Sequence, residues 1–559
     1  MLEHDVLVIG AGLAGMRAAI AARSGGADTA IISKVHPVRS HSNAAQGGIN
    51  AALTDRGDGW EEHAYDTVKG SDFLGDQDAI EVMCKSAGQA LIDMEHMGVT
   101  FNRDDEGRLG TRAFGGQRRA RTFFVGDFTG QALLHVMFEQ LVKSGIRSYE
   151  EWFVTSIIEE DGQVCGVTAL EIRTGQVHVI RAKALIFCTG GVGRAFEPST
   201  NALIVTGDGQ ALAYNSGARL MDMEMVQYHP TTLAGSGVLI SEAARGEGAY
   251  LLDKNGERFM EAYAPNMMEL ASRDVVSRSE QTEILNGNGV DGCVYLDCRH
   301  LGADLIMEKL SQIREIGIDL AGVDMIRDPI PIRPGMHYMM GGIKTDVDGL
   351  TNVPGIYAAG ECACVSVHGG NRLGANSLLD TIVFGQRAGD HAAAATRSKE
   401  FVNLSEDGVR KKEENRIQQM LDRPNNNDRV GSIRLGMGES LNRNLAVYRN
   451  QSGMEETIYD LRQLKERYAH VPVDNKGSVF NTDLVFALEL GFMLDCAETI
   501  TSSALERKDS RGAQARTDYP DRDDENWMKH IVVNKGEEGP ELSYLPVSIT
   551  QWTPEERKY

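Results

Sequence analysis

Positive charge is in short supply: 57 Lys and Arg stand against 80 Asp and Glu, a formal net charge of -23. So acidic a chain has no overall attraction for nucleic acid or anionic lipid, and an anionic ligand would need a local basic pocket. Cysteine is sparse, and no C-x-x-C pair occurs among the eight at 84, 165, 188, 293, 298, 362, 364 and 496. Zinc ribbons and iron–sulfur clusters thus lack their usual ligand spacing, so no metal site is expected and the thiols are expected to be reduced. Long apolar runs are missing too. The longest, Val6 to Ala22, is broken by three glycines and Arg17, which makes it too short and interrupted for a membrane span. The opening Met-Leu-Glu-His-Asp has neither a basic leader nor an Arg/Ser-rich transit character. The expectation is a chain that does not itself cross a membrane.

Glycine, by contrast, is abundant. Its 61 residues in 559 exceed an average near ~7%, and suggest many places where backbone turns sharply or approaches a ligand closely. An apolar share of 42% is enough to build large cores, and the length suits three or four domains. Residues 5–9 read as a buried strand, a helix follows to about Arg23, and Thr29 to Ser33 reads as a second strand. Residues 80–97 and 129–143 show helical spacing, and 153–187 read as a three-stranded meander. The texture becomes mixed from about 236 to 337. Strands and glycines then resume, a helix opens near Ser377, and polar helices dominate from 400 to 509.

Gly10-Ala11-Gly12-Leu13-Ala14-Gly15 lies between strand and helix, the context a dinucleotide fingerprint requires. The glycines permit a tight turn, close approach to a pyrophosphate and packing of helix on strand. The helix N-terminus adds partial positive charge for that anion. The acidic residue expected about 20 residues further on is absent, since the second strand ends in Ser33-Lys34. Either Ser33 bonds the ribose, or Ser33 and Lys34 together hold a phosphate. Thr189-Gly190-Gly191 and Gly360-Glu361 end two more apolar strands. Three glycine turns suit a long ligand such as FAD better than a mononucleotide. The fold class expected is α/β: a Rossmann-like FAD-binding domain over 1–235 and 338–399, interrupted by an inserted α+β capping domain over 236–337. A helical domain over 400–509 and a small C-terminal domain over 510–559 follow.

More specific stretches come next. They are Arg39-Ser40-His41-Ser42-Asn-Ala-Ala45-Gln46-Gly47-Gly48, Tyr65 to Asp72, and Gln227-Tyr-His229-Pro-Thr. Others are Glu242-Ala-Ala-Arg245, Arg273-Asp-Val-Val, His337-Tyr-Met-Met, His368 to Leu379, and Ser510 to Asp524. In these segments, spread in order over almost the whole chain, it resembles the flavoprotein subunits of succinate dehydrogenase and fumarate reductase. The resemblance implies FAD carried covalently by His41, with Ser40, Ser42, Ala45, Gln46, Gly47 and Gly48 around the cofactor. It adds Thr189, Gly190, Asp208, Glu361, Arg372, Ser377 and Leu378 to the fingerprint residues as cofactor contacts. Ser377 and Leu378 open a helix whose dipole suits negative charge on a reduced flavin.

By the same resemblance, His229, Ser241, His337 and Arg372 clamp a dicarboxylate, and Phe114 packs over it. Ser241 stands where many relatives have Thr, and keeps the hydroxyl. Arg273 is implied as the proton-transfer residue, with Glu242 and Arg245 as relay partners. Arginine alone is a poor base, its pKa exceeding ~12. The activity implied is succinate oxidation to fumarate, with electrons leaving through an iron–sulfur subunit and a membrane anchor to quinone. The chain would then be peripheral on the cytoplasmic face of the membrane. Fumarate reduction is the alternative, disfavoured by Gln46 where some reductases have Glu. L-aspartate oxidase, which lacks the flavin-linking histidine, is opposed by His41, and a non-catalytic flavin module by the intact Arg and His set. Gln514 stands where relatives commonly have His, so contacts of the tail are not carried over.

Overall fold

A computed structural model describes residues 2–558. Its main sheet is built on β1 (Leu2–Ile9), which leads through a glycine turn into helix α1 (Leu13–Ser24) and back to β2 (Thr29–Ser33). Further along come β3 (Arg147–Glu150), β4 (Trp152–Glu160), β5 (Gln163–Glu171) and β6 (Gln176–Phe187). The strand order is β3-β2-β1-β6-β5-β4, with Ile356–Ala358 on the far half of β6. Pairing among β3, β2, β1 and β6 is parallel, while β4, β5 and β6 form the expected antiparallel meander. Val6 and Val8 face one core and Leu7 and Ile9 the other. With both faces covered, β1 shows no polar alternation, as a buried parallel strand should.

The turn after β1 has a steric cause. Gly10 has φ +103, and a Cβ there would lie 2.2 Å from the Cys188 carbonyl oxygen; one on Gly15 would lie 1.9 Å from the Gly10 oxygen. Only glycine lets α1 settle against the strand end. The expected helices run Gln77–Met97 and Thr129–Lys143. All eight cysteines are free and buried.

A four-stranded antiparallel sheet contains β7 (Val226–Leu233) and, after helix α2 (Arg273–Leu285), β8 (Ile330–Met339). Leu233, Val276, Leu296 and Ile332 lie in its separate core. Helix α3 (Asn376–Thr396) then returns to pack along α1. The later helices are Glu406–Leu421, Val430–Asn444, Gln451–His470 and Thr482–Glu506. The tail hairpin, Lys529–Lys535 and Pro540–Pro546, joins Leu220–Met221 in a five-stranded sheet. Beyond it, Arg557 reaches Asp274 (2.6 Å) and Asp72 (2.9 Å), clipping the last segment to the start of α2. Among the described residues, no helix is long and apolar enough to cross a membrane.

Candidate active site

The parallel strands β1, β2 and β6 and the strand Ile356–Ala358 all end on one side of the sheet. Ligands of open α/β sheets bind in the crevice beyond such ends. There a cavity of about 460 Å³ is lined by Gly10 to Ala14, Ser33, Lys34, Thr189, Gly190, Asp208 and Glu361. His41 and its neighbours to Gly48 line it too, with Ser377 and Leu378 at the start of α3. Gly15 is not among the lining residues; it works by packing α1 on the strand. The helix α3 begins where Ala375 turns left-handed at φ +64, and Asn376 is fixed by hydrogen bonds with Asn50, His63 and Thr67. Two helix N-termini, of α1 and α3, therefore face the cavity, a setting suited to anionic ligand groups.

The polar groups of this end fit an FAD. Ser40 Oγ, Gln46 Oε1 and Thr189 Oγ1 are buried with no hydrogen-bond partner, and buried polar atoms of that kind await a ligand or cost stability. Lys34 behaves differently from one of its two sequence readings. Its ammonium donates to Thr206 Oγ1 (2.7 Å), Asp208 (2.6 Å) and Glu489 (2.6 Å). Burial works to lower its pKa, but the two carboxylates outweigh that and hold it above the ordinary value. With three donors engaged, Lys34 has none left for a phosphate, which leaves Ser33 as the polar group at the end of β2. Glu361 accepts from the Met339 N–H at 3.1 Å, and burial pushes its pKa up to about 7.

His41 lies in a short 3-10 turn, His41–Ala44. Its Nδ1 accepts from the Ala202 N–H at 3.3 Å, which puts the ring proton on Nε2. Burial lowers its pKa to about 4, so the ring is neutral at neutral pH.

The same cavity continues to Phe114, His229, Ser241, Glu242, Arg273, His337 and Arg372. β7 and β8 bring the two histidines together: His229 pairs with Gly335, and the His229 and His337 ring centroids are 4.9 Å apart. His229 Nδ1 accepts from the Thr231 N–H (3.1 Å), and His337 Nδ1 bonds Thr200 Oγ1 (2.9 Å). Burial, then the field of Arg273, drives both pKa values well below the ordinary range. Both rings are therefore neutral donors.

Arg273 opens α2, and its Nε donates to Glu242 at 2.7 Å. Its Nη1 donates to Gln227 Oε1 at 3.1 Å. Glu242 also accepts from the Gly115 N–H (2.6 Å), and Arg245 Nη2 lies 3.7 Å away. Burial would raise the Glu242 pKa, but Arg273 and Arg245 prevail and hold it below its ordinary value. Arg372 is buried with its guanidinium 4.3 Å from the Tyr338 ring centroid and its Nε unpartnered. Burial, helped by Arg273, lowers its pKa to about 9, which leaves it cationic at neutral pH. Three guanidiniums, one carboxylate and two neutral imidazoles thus form a buried cluster with two net positive charges, Arg273 and Arg372 lining the cavity and Arg245 standing behind Glu242. Phe114 is accommodated by two glycines: a Cβ on Gly47 or on Gly374 would lie 2.7 Å from its ring.

Two contributors were not singled out from sequence. Gln227 links Arg273 to the Arg372 backbone, its Nε2 donating to Arg372 O at 2.8 Å, and Tyr338 supplies the face under Arg372. Both lie in motifs already noted, next to His229 and His337, where the eye goes to the titratable neighbour.

Comparison with known proteins agrees with this geometry. Residues 5–378 match the family described as FAD binding domain, and 434–559 the family described as fumarate reductase flavoprotein C-term. A fumarate reductase flavoprotein subunit of Mycobacterium tuberculosis is 45% identical over 100% of this chain and 99% of its own length. A succinate dehydrogenase flavoprotein subunit of Rickettsia conorii is 43% identical over 99% and 96%. Among solved structures, a mutant of the E. coli quinol fumarate reductase superposes with a TM-score of 0.96 at 39% identity, covering 100% of this chain and 99% of that one.

Proposed function

This chain belongs to the flavoprotein subunits of the succinate dehydrogenase and fumarate reductase family, and from that premise we propose that it oxidises succinate to fumarate. It is an FAD-dependent oxidoreductase. The observation that carries the substrate reading is the doubly positive, buried pocket that opens directly onto the FAD-binding cavity. A dicarboxylate dianion neutralises it charge for charge.

In this reading Arg372 holds one carboxylate with its fork, while His229, Ser241 and His337 donate to the remaining oxygens without adding charge. Phe114 excludes water over the carbon chain. FAD, when bound, supplies the hydride acceptor. The proton that must also leave goes to Arg273. Arginine is a poor base alone, and the Glu242 carboxylate at 2.7 Å, backed by Arg245, gives the proton somewhere to go. His41 is the covalent attachment point: its ring is neutral, lines the cavity, and is oriented by the Ala202 N–H.

Direction rests on Gln46. Its amide brings no negative charge to the cofactor cavity, whereas a carboxylate there would disfavour flavin reduction. That supports succinate oxidation over quinol-driven fumarate reduction. Electrons then pass to an iron–sulfur subunit and through it to a membrane anchor and quinone, which places the chain peripherally on the cytoplasmic face.

One gel and one assay test this. Acid-denatured holoprotein should show flavin fluorescence at the mass of the chain, absent in His41→Ala. Dye-linked succinate oxidation should exceed fumarate reduction by the same preparation. A fluorescent band surviving in the variant overturns the attachment, and a faster reductive rate overturns the direction.

A further inference from the structure

Arg112 is a buried cation that no acid touches. It ends the short strand Thr111–Arg112 and is only 6% exposed. Its fork is spent on main-chain carbonyls: Nε donates to Gly47 O at 3.0 Å, and Nη2 to Gly47 O, Gln46 O (3.2 Å) and Gly126 O (3.0 Å). Nη1 is buried with no hydrogen-bond partner. The Phe124 ring centroid lies 4.3 Å from the guanidinium carbon. Glu247 and Asp127 act on Arg112 only from beyond ion-pair distance. Both are engaged elsewhere, Glu247 with Lys309 at 3.1 Å and Asp127 with the Gln312 and Ile313 N–H groups at 2.8 and 3.2 Å. Burial lowers the Arg112 pKa to about 10, which still leaves it charged at neutral pH. A buried charge without a counter-ion is costly, and neutral donors could meet the same carbonyls at less cost.

The residues that Arg112 grips mark where its charge acts. Gln46 and Gly47 line the cofactor cavity, and Phe114, which packs on Gly47, lines it beside the substrate clamp. A ring tethered at His41 and near enough to take hydride from a clamped dicarboxylate lies along this stretch. We propose that Arg112 is an electrostatic positioning residue for the flavin: its uncancelled charge, set behind the Gln46–Gly47 backbone, favours reduction of the bound FAD. This rests on the cofactor and clamp reading above. A hydride carries two electrons and one proton, so it brings one net negative charge to its acceptor. A fixed cation in a low-dielectric surrounding stabilises that charge. Arg112 does not itself line the cavity; it acts by its field through one layer of backbone.

The test is a spectroelectrochemical titration of the flavin in FAD-loaded wild type, Arg112→Gln and Arg112→Lys, with thermal melts of the same samples. Both variants lose the fork, so both should melt below the wild type. Only Arg112→Gln loses the charge. Its flavin equilibrium should shift about tenfold toward the oxidised form, a midpoint potential lower by ~30 mV for a two-electron couple. Arg112→Lys should stay within about twofold of the wild-type equilibrium. A wild-type potential in Arg112→Gln overturns the proposal and leaves a brace for the Gln46–Gly47 turn. An equal fall in both variants also overturns it, because the potential then follows backbone geometry and not charge. If Arg112→Gln takes up no FAD, Arg112→Lys decides alone: a wild-type potential supports the charge and a tenfold shift overturns it. No succinate enters the titration, so its result is independent of the direction of catalysis. Failure of the His41 attachment would show separately, as a wild-type gel band without flavin fluorescence.

Discussion

Arg273 is gripped from two sides, by Glu242 through Nε and by Gln227 through Nη1. Lysine in its place keeps a charge but loses the fork that makes both bonds. Arg273→Lys should therefore cut kcat for succinate oxidation by about 10²- to 10⁴-fold while FAD content, read from absorbance, stays at the wild-type level. Residues of this kind were the most legible part of the chain. His229, His337, Arg372 and Arg273 lie in short motifs, and motif and cavity coincide. Less legible were residues whose meaning lies in a distant partner. Lys34 read equally well as a phosphate ligand, because Glu489, which takes its charge, is 455 residues away. Gln514 is a similar case. It is buried, accepting from Arg449 and donating to Ala504 O at 2.9 Å, so its amide offers the donor and acceptor pair that a histidine ring can also offer.

At the scale of elements, two buried histidines hold segments together and titrate in opposite senses. His63, on the helix Trp60–Gly70, bonds Asn376 at the start of α3 at 3.0 Å, and burial lowers its pKa to about 4. The unfolded chain, with an ordinary histidine near 6.5, binds the proton first. Its contribution is complete above that pH and is lost as pH falls toward 4. His530, on the tail strand Lys529–Lys535, lies 2.7 Å from Asp222 and 3.2 Å from Asp76. Burial opposes its charge, but the two carboxylates win and raise its pKa to about 10. Its contribution is complete below pH 6.5 and is lost as pH rises through 10. Thermal melts over pH should show His63→Gln flattening the acid limb and His530→Gln the alkaline limb. The second change should also cost about 1.5–3 kcal/mol, because Asp222 loses a charged hydrogen-bond donor while keeping the Ile531 N–H and the more distant Arg507. The elements themselves were readable from pattern: β2 spans Thr29–Ser33 as expected, and the meander and α3 follow suit. Their pairings were not. Leu220–Met221 lies between Gly342–Lys344 and Lys529–Lys535, and periodicity reports which face is buried, never against what.

Over the whole molecule, the active site is assembled from strands and loops that the chain visits at widely separated times. Arg557 shows how far this extends, since it fastens Asp274, the residue next to Arg273, from 283 positions away. Arg557→Gln should leave the FAD-binding core intact and loosen the start of α2. The checks are a kcat reduced several-fold with unchanged flavin content, and faster hydrogen exchange confined to the first turn of that helix.

That clip also imposes an order on biosynthesis. While the ribosome is still working through the later helices, the segment bearing Arg273 has already emerged, but the arginine that fastens it has not yet been made. A nascent chain can fold its sheet and gather a nucleotide pocket early, yet its proton-handling corner stays unfinished until residues near 557 leave the exit tunnel. A product released just before residue 557 would keep the nucleotide pocket but turn over several-fold more slowly, as expected for Arg557→Gln.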